Sequence, residues 1–299
     1  MIFKLHRLIC TRQPQIRLLS SSINKLKMSS GEKTGVKLSD VTSALEKIVP
    51  KKLAESWDKT GLLVEPYTSR PITKIFLTND LTEDVAIEAN DCGSEMIISY
   101  HPPIFSPLAS VTQRTWKEKV VSFLLEKQIA MYSPHTSWDC VRGGVNDWLA
   151  EAFPFAESRP IIPGEDPNVG AGRILHVESP FTLKEAVASI KKLTGLKHIR
   201  LAMGKGRSLD SPIKDVALCA GSGGSLLKDI TNVDLYLTGE MLHHDILDAA
   251  QKGISVILTN HSDSERGSLV RFANILQKEL DNQVTVEISK YDKDPLTTV

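Results

Sequence analysis

The chain has 299 residues, 41% of them apolar and 24% charged, and its 36 Lys+Arg and 36 Asp+Glu give a formal net charge of zero. That length suits two ordinary domains or one large one with a real core, and the charge balance offers no electrostatic basis for direct nucleic-acid or membrane-surface binding. Cys10, Cys92, Cys140 and Cys219 are widely spaced with no CxxC pair, which argues against a disulfide framework or an all-cysteine zinc site and for a reducing compartment; no apolar run approaches the ~18 residues that span a bilayer.

The first stretch differs from the rest. Between Met1 and Ser30 stand six basic residues (Lys4, Arg7, Arg12, Arg17, Lys25, Lys27) and no acid, with apolar residues interleaved and serines clustered at 20–22. An acid-poor, Arg- and Ser-rich amphipathic start reads as a mitochondrial transit peptide, the alternative being a disordered basic tail. Met28 offers a second start for a shorter cytoplasmic product, and a nuclear location stays open. Residues 1–33 are therefore set apart, and 34–156 and 157–299 are expected to form an N-terminal and a C-terminal α/β lobe.

From Lys37 onward helical and strand patterns alternate. Val41 to Ile48 has helical spacing limited by Pro50; Lys74-Ile-Phe-Leu-Thr predicts a strand, and Val85, Ala86 and Ala89 a helix closed by Gly93. Met96-Ile-Ile-Ser predicts a second buried strand running into His101 and Pro102-Pro103. A helix through Val120, Val121, Leu124 and Leu125 leads to an Ile129-Ala-Met-Tyr strand. Further strands are expected at Ile174-Leu-His-Val, Val216-Ala-Leu-Cys, Leu235-Tyr-Leu and Val256-Ile-Leu. Short apolar runs alternating with amphipathic helices predict an α/β architecture with covered sheets. Phe153 to Gly172, rich in proline and glycine, reads as the linker.

Slid along itself by 160 positions, the chain lays Lys74–His101 on Asp234–His261 without a gap. Leu77, Thr78, Ala89, Gly93, Ile97 and His101 meet identical residues at 237, 238, 249, 253, 257 and 261, and Asp80 meets Glu240. Chance and convergent patterning account for some of this, but the shared Gly-to-His interval favours an internal repeat. Each lobe then places a His at the carboxyl end of a strand, where open α/β sheets bind ligands. The expected site is a divalent-metal cleft between two similar lobes.

Candidate ligands follow from chemistry as well as from place. His101 leaves its strand into two stiffening prolines, though a lone His there is more often a packed residue. Asp139 is a candidate carboxylate ligand or a turn residue, and His135 a ligand or an orienter behind one. His261 and Glu265, four apart before Leu269, Phe272, Ile275 and Leu276, share a face if one helix includes both; an N-terminal cap is the alternative. Imidazole with carboxylate suits zinc, iron or manganese. Gly221-Ser222-Gly223-Gly224 follows a strand and reads either as an anion- or substrate-binding loop or as a plain tight turn. Glu240 and His244, on one helix face beside His243, are candidates for proton transfer.

Taken together, Ser56-Trp-Asp-Lys-Thr-Gly-Leu, Ser99-Tyr-His-Pro-Pro-Ile-Phe, His135-Thr-Ser-Trp-Asp139, Gly221-Ser-Gly-Gly, Thr238-Gly-Glu and His261-Ser-Asp-Ser-Glu265 resemble, in order, the motifs of the NIF-three-like family, whose bacterial members are called GTP cyclohydrolase 1 type 2 homologues. The resemblance implies two similar α/β lobes, one or two divalent ions in the cleft, and homo-oligomers that are dimer-based or hexamer rings. It implies His101 and Asp139 on a first ion, His261 on a second, and Glu265 bridging. Bacterial relatives have His-His-Pro where this chain has Tyr100-His101-Pro102, so a ligand of the second ion is missing. The short span from Leu149 to Val216 leaves no room for the domain inserted in some relatives. Two functions follow: a metal-dependent hydrolase of unknown substrate, or an interaction protein that binds a transcriptional regulator, as the family name records, with a structural or vestigial metal.

Overall fold

The apolar runs become the strands of two covered sheets in a computed structural model that describes residues 35–298; the basic segment 1–33 lies outside the described residues. Helix α1 (Leu38–Ile48) buries Val41, Ala44 and Leu45 and stops before Pro50. After strand β1 (Gly61–Val64) come β2 (Lys74–Thr78), α2 (Glu83–Asp91) and β3 (Met96–Ser99). The Thr82 hydroxyl accepts from Val85 N–H to start α2, as Thr115 does from Glu118 N–H for α3 (Trp116–Glu126). β4 (Ala130–Ser133), α4 (Thr136–Cys140) and α5 (Val145–Ala150) complete this half.

The stretch 153–172, expected to be a linker, instead carries β5 (Phe155–Arg159) and the small hairpin β6 (Ile162–Pro163) with β7 (Gly170–Ala171). Pro154 and Pro160 bracket β5 rather than interrupt it. β5 lies on a sheet edge with all five residues exposed, so it shows no apolar run to read. Next come β8 (Arg173–Thr182) and α6 (Leu183–Thr194), started by a Thr182/Glu185 capping box and closed by Gly195 at φ 75°. Then follow β9 (Arg200–Ala202), β10 (Pro212–Cys219), α7 (Gly224–Leu227), β11 (Leu235–Thr238), α8 (His243–Gln251), β12 (Ser255–Leu258), α9 (Ser268–Glu279) and β13 (Thr285–Ile288).

The first sheet has the order β1-β4-β3-β2-β13 and the second β5-β8-β10-β11-β12-β9. β4, β3, β2 and β13 are mutually parallel, as are β10, β11 and β12, while β1 runs antiparallel to β4, β8 to β10, β5 to β8 and β9 to β12. Alternate residues face opposite covers, as a period of two demands. Ile75, Leu77, Met96 and Ile98 pack under α1 and α9, and Phe76, Ile97 and Met131 under α2 and α3. In the second sheet Val216, Leu218, Leu235 and Leu237 meet α5 and α6, and Ala217, Tyr236 and Val256 meet α7 and α8.

The repeat is visible in the elements: α2 moved by 160 positions is α8, residue for residue, and the flanking strands agree to within one. The sheets do not divide the chain at one point, because β13 from its end pairs with β2 in parallel, Val286 opposite Ile75.

Candidate metal centre

The carboxyl ends of the parallel strands supply the site. β3 ends at Ser99 and delivers Tyr100 and His101; β12 ends at Leu258 and delivers His261. Backbone bonds fix the first exit: Tyr100 N–H donates to Thr78 O and His101 N–H to Asn79 O, both at 2.9 Å. The two imidazoles, one from each sheet, stand with ring centroids 5.1 Å apart.

Glu265 lies between them, its side chain only 3% exposed. His101 Nε2 is 3.5 Å from Glu265 Oε2, and His261 Nε2 is 3.3 Å from Oε1. One donor atom from each of the three residues lies within 4.8 Å of the others, a grouping that could hold a metal ion. Behind the imidazoles the repeat reappears as chemistry. His101 Nδ1 meets Asp80 Oδ1 at 2.9 Å, and His261 Nδ1 meets Glu240 Oε2 at 3.1 Å. A carboxylate at Nδ1 fixes the ring and turns the Nε2 lone pair toward the centre, the arrangement that supports metal-binding histidines. Asn79 Nδ2 donates to Glu265 Oε2 at 3.0 Å, while its own buried Oδ1 has no hydrogen-bond partner.

His261 and Glu265 do not share an α-helical face. They flank a 3-10 turn, Ser262–Ser264, and α9 begins only at Ser268. The tighter turn lets the Ser264 hydroxyl accept from Gly221 N–H at 2.7 Å while donating to His261 O at 2.6 Å. Gly221 thus lies directly against the site at φ +64°; a Cβ there would stand 3.1 Å from His261 Nε2 and closer still to Glu265 Oε1.

Electrostatics follow the crowding of carboxylates. Burial disfavours a charged His101, but the charge of Glu265 and hydrogen bonds to Asp80 and Glu265 outweigh it and raise its pKa to about 10. Burial also tends to raise Asp80, yet His101 holds that carboxyl below its ordinary value. Asp139 is pushed up to about 6 by burial, against the Tyr100 hydrogen bond and with Glu265 adding repulsion. Tyr100, buried beside Asp139 and Glu265, titrates well above its usual value.

The remaining sequence-derived candidates fall into three places. The Tyr100 hydroxyl donates to Asp139, and Asp139 is not in the group of three. His135 packs edge-on to His101 at 5.4 Å and to Tyr100 at 5.7 Å. Its backbone is strained, at φ 35° and ψ −120°, and Asp58 Oδ1 holds its Nδ1 at 2.6 Å. His243 and His244 pack edge-on to each other at 5.3 Å on the exposed first turn of α8 and do not join the group. In the glycine turn, Gly221 N–H is taken by Ser264 and Gly223 N–H by Thr238 Oγ1, so these two amides serve the turn itself. Ser222 is exposed, and Gly224 opens α7. Sequence reasoning missed Asn79 and Asp58 as site residues, and it paired Asp80 with Glu240 without giving Asp80 a role.

Covered parallel strands that aim two imidazoles and a buried carboxylate at one point define a two-sheet α/β protein with a His-His-Glu cluster fit for a divalent cation. The chain belongs to the DUF34/NIF3 family (NGG1p interacting factor 3), whose model matches residues 36–295. It is 48% identical to NIF3-like protein 1 of Drosophila melanogaster over 269 residues, 89% of this chain and 90% of that one. It is 36% identical to NGG1-interacting factor 3 of Saccharomyces cerevisiae over 288 residues, 88% and 98% of the two chains. The fold is that of a Bacillus cereus protein related to NIF3, with a TM-score of 0.78 at 21% identity over 88% of this chain and 99% of the other.

Proposed function

We propose that this protein binds one divalent cation at His101, His261 and Glu265 and uses it in a hydrolase-like reaction. The observation that carries the reading is the doubled arrangement in which each Nε2 faces Glu265 while each Nδ1 is held by its own carboxylate, Asp80 or Glu240. Two imidazoles and one carboxylate suit zinc, iron or manganese. When bound, the ion supplies Lewis acidity to a polar bond lying in the cleft. Asp80 and Glu240 orient the ligands, so Glu240 acts through His261 rather than on substrate. His135, strained and gripped at Nδ1 by Asp58, presents Nε2 as the atom that holds or passes a proton.

One ion, rather than two, follows from Tyr100. In the position where the resemblance places a ligand imidazole stands a phenol committed to Asp139. Tyr100 therefore occupies Asp139, the carboxylate expected on a first ion, and supplies no imidazole for a second.

A second reading draws on the names of the family and of a relative. The family and its yeast relative are named for interaction with NGG1, which favours a regulatory protein partner with the ion in a structural role. Among the described residues no helix is long and apolar enough to cross a membrane. The homo-oligomer implied by the resemblance belongs to this proposal and is read by sedimentation.

Elemental analysis after metal-replete preparation tests the reading. One equivalent is expected in the wild type and none in His101→Ala, His261→Ala or Glu265→Gln. Wild-type protein without stoichiometric metal ends the hydrolase proposal.

A further inference from the structure

Two aromatic rings stand exposed at the mouth of the metal centre. Trp57 is 54% exposed and Phe105 43%, and their centroids lie 6.0 Å apart at 57°. They come from different loops, Trp57 from the segment before β1 and Phe105 from the one after Pro103. Trp57 also packs edge-on to His135 at 6.0 Å, and His135 to His101 at 5.4 Å. A continuous series of rings therefore runs from solvent to the ligand His101.

Trp57 is exposed without being loosely held. Glu55 N–H donates to Thr136 Oγ1 at 3.0 Å, and Asp58 N–H closes a turn onto Glu55 O at 2.9 Å. The Asp58 carboxylate, fully buried, accepts from His135 Nδ1 and from Thr136 N–H. The residues on both sides of Trp57 are thus pinned to the strained His135–Thr136 segment, while the indole keeps more than half its surface in water. Isolated exposed apolar residues need no explanation. A pair of rings in mutual contact, with Trp57 on a pinned backbone and two ring contacts from a ligand histidine, is a different matter. Aromatic rings held in advance lose little conformational entropy on binding a ligand. The exposed part of the indole leaves a face on which a third ring can stack.

We infer that Trp57 and Phe105 form a stacking ledge for a planar aromatic ring, so that this site takes a ligand in which such a ring is tethered to an oxyanion. The oxyanion end rests on the metal reading above, since three protein ligands leave coordination positions open for anionic oxygen. The ring end rests on Trp57, Phe105 and His135 alone. The ledge selects ligands by the presence of a ring, and the cation selects the anionic end.

Adenosine 5′-monophosphate and ribose 5-phosphate separate the two ends, since they share sugar and phosphate and differ only in the base. Binding is measured by calorimetry on the full-length, zinc-loaded protein, with metal content and Tm recorded for each variant. The wild type is expected to prefer the base-bearing probe by about tenfold, the scale of one base–aromatic contact, and to show quenching of tryptophan emission that Trp57→Phe loses. Trp57→Ala and Phe105→Ala are expected to erase that preference while leaving ribose 5-phosphate binding and zinc content unchanged; Trp57→Phe keeps most of the preference. In Glu265→Gln, which loses the ion, both probes weaken together and the preference remains, so failure of the metal reading is distinguishable from failure of the ledge. The inference is overturned if the wild type shows no preference for the base-bearing probe, whether it binds both equally or neither. It is also overturned if Trp57→Ala weakens both probes alike, or if Trp57→Ala changes the oligomeric mass without touching the preference, which would make the pair a contact between copies of the chain.

Discussion

Gly221→Ala isolates the contact between the glycine turn and the His101–His261–Glu265 cluster. Gly221 sits at φ +64°, where a Cβ costs about 1–2 kcal/mol of backbone strain. Gly195, at φ +75° with nothing within 4 Å of a built Cβ, supplies the control, since Gly195→Ala adds strain alone. That strain should lower Tm by about 2–6 °C. At Gly221 the same strain is joined by a Cβ closer to Glu265 Oε1 than the 3.0 Å real Cβ atoms keep, and 3.1 Å from His261 Nε2. Glu265 cannot retreat freely, being 3% exposed and bonded to Asn79. Displacing it disturbs a buried, hydrogen-bonded carboxylate, a further loss of about 1–3 kcal/mol. The displaced oxygen is one His261 faces, so zinc affinity should fall about 10- to 100-fold, or about 1.4–2.8 kcal/mol. Chelator-competition titration gives the affinity, and thermal melts with and without EDTA give the stability. If Gly221→Ala melts with Gly195→Ala and holds zinc like the wild type, the reasoning about this contact is wrong.

Asp80→Asn and Glu240→Gln should each weaken zinc binding by about 10- to 100-fold without unfolding the chain, because each loosens one imidazole from behind; equal effects in the two would express the repeat, and a null result in either would deny it the orienting role. Tyr100→His should raise metal stoichiometry from one equivalent toward two by freeing Asp139 and adding an imidazole, and unchanged stoichiometry would refute the single-ion account. Asp234, whose burial is outweighed by backbone N–H groups of Lys214 and Asp215 and by Arg207, has a lowered pKa. Its stabilisation is present above the unfolded value near 3.8 and lost as pH falls through the lower folded value. Asp234→Asn should therefore cost about 1–2 kcal/mol at pH 7 by urea denaturation, with the gap from wild type closing at the acid end; a constant gap counts against the assignment. Removing residues 1–27 should abolish uptake by isolated mitochondria while leaving metal binding intact, and uptake without them would discard the targeting proposal.

The sequence disclosed what is local or repeated. β2, α2 and β3 are legible from their spacing, and the 160-residue offset alone singles out His101 and His261 as counterparts. The same offset laid Asp80 on Glu240, but nothing in one dimension says that these carboxylates sit behind the histidines. Asn79 reaches Glu265 across 186 positions and Asp58 reaches His135 across 77, contacts set by sheet packing and invisible to spacing. β5 escaped because an exposed edge strand carries no apolar pattern. The helix expected through His261 and Glu265 gave way to a 3-10 turn because the Ser264 hydroxyl binds the Gly221 turn, a partner more than forty residues away.

The return of β13 to β2 has a consequence for how the molecule is made. Until β13 is synthesised, β2 is an open parallel edge of Ile, Phe and Leu, the kind of edge that invites pairing with another chain. β2 and β13 are far apart in sequence, and such distant pairings close slowly. Glu265 follows every strand of the two sheets except β13, so the cluster of His101, His261 and Glu265 comes together only after nearly all of both sheets has been made. A chain truncated before Thr285 should therefore collect with chaperones even though most of both sheets has been made.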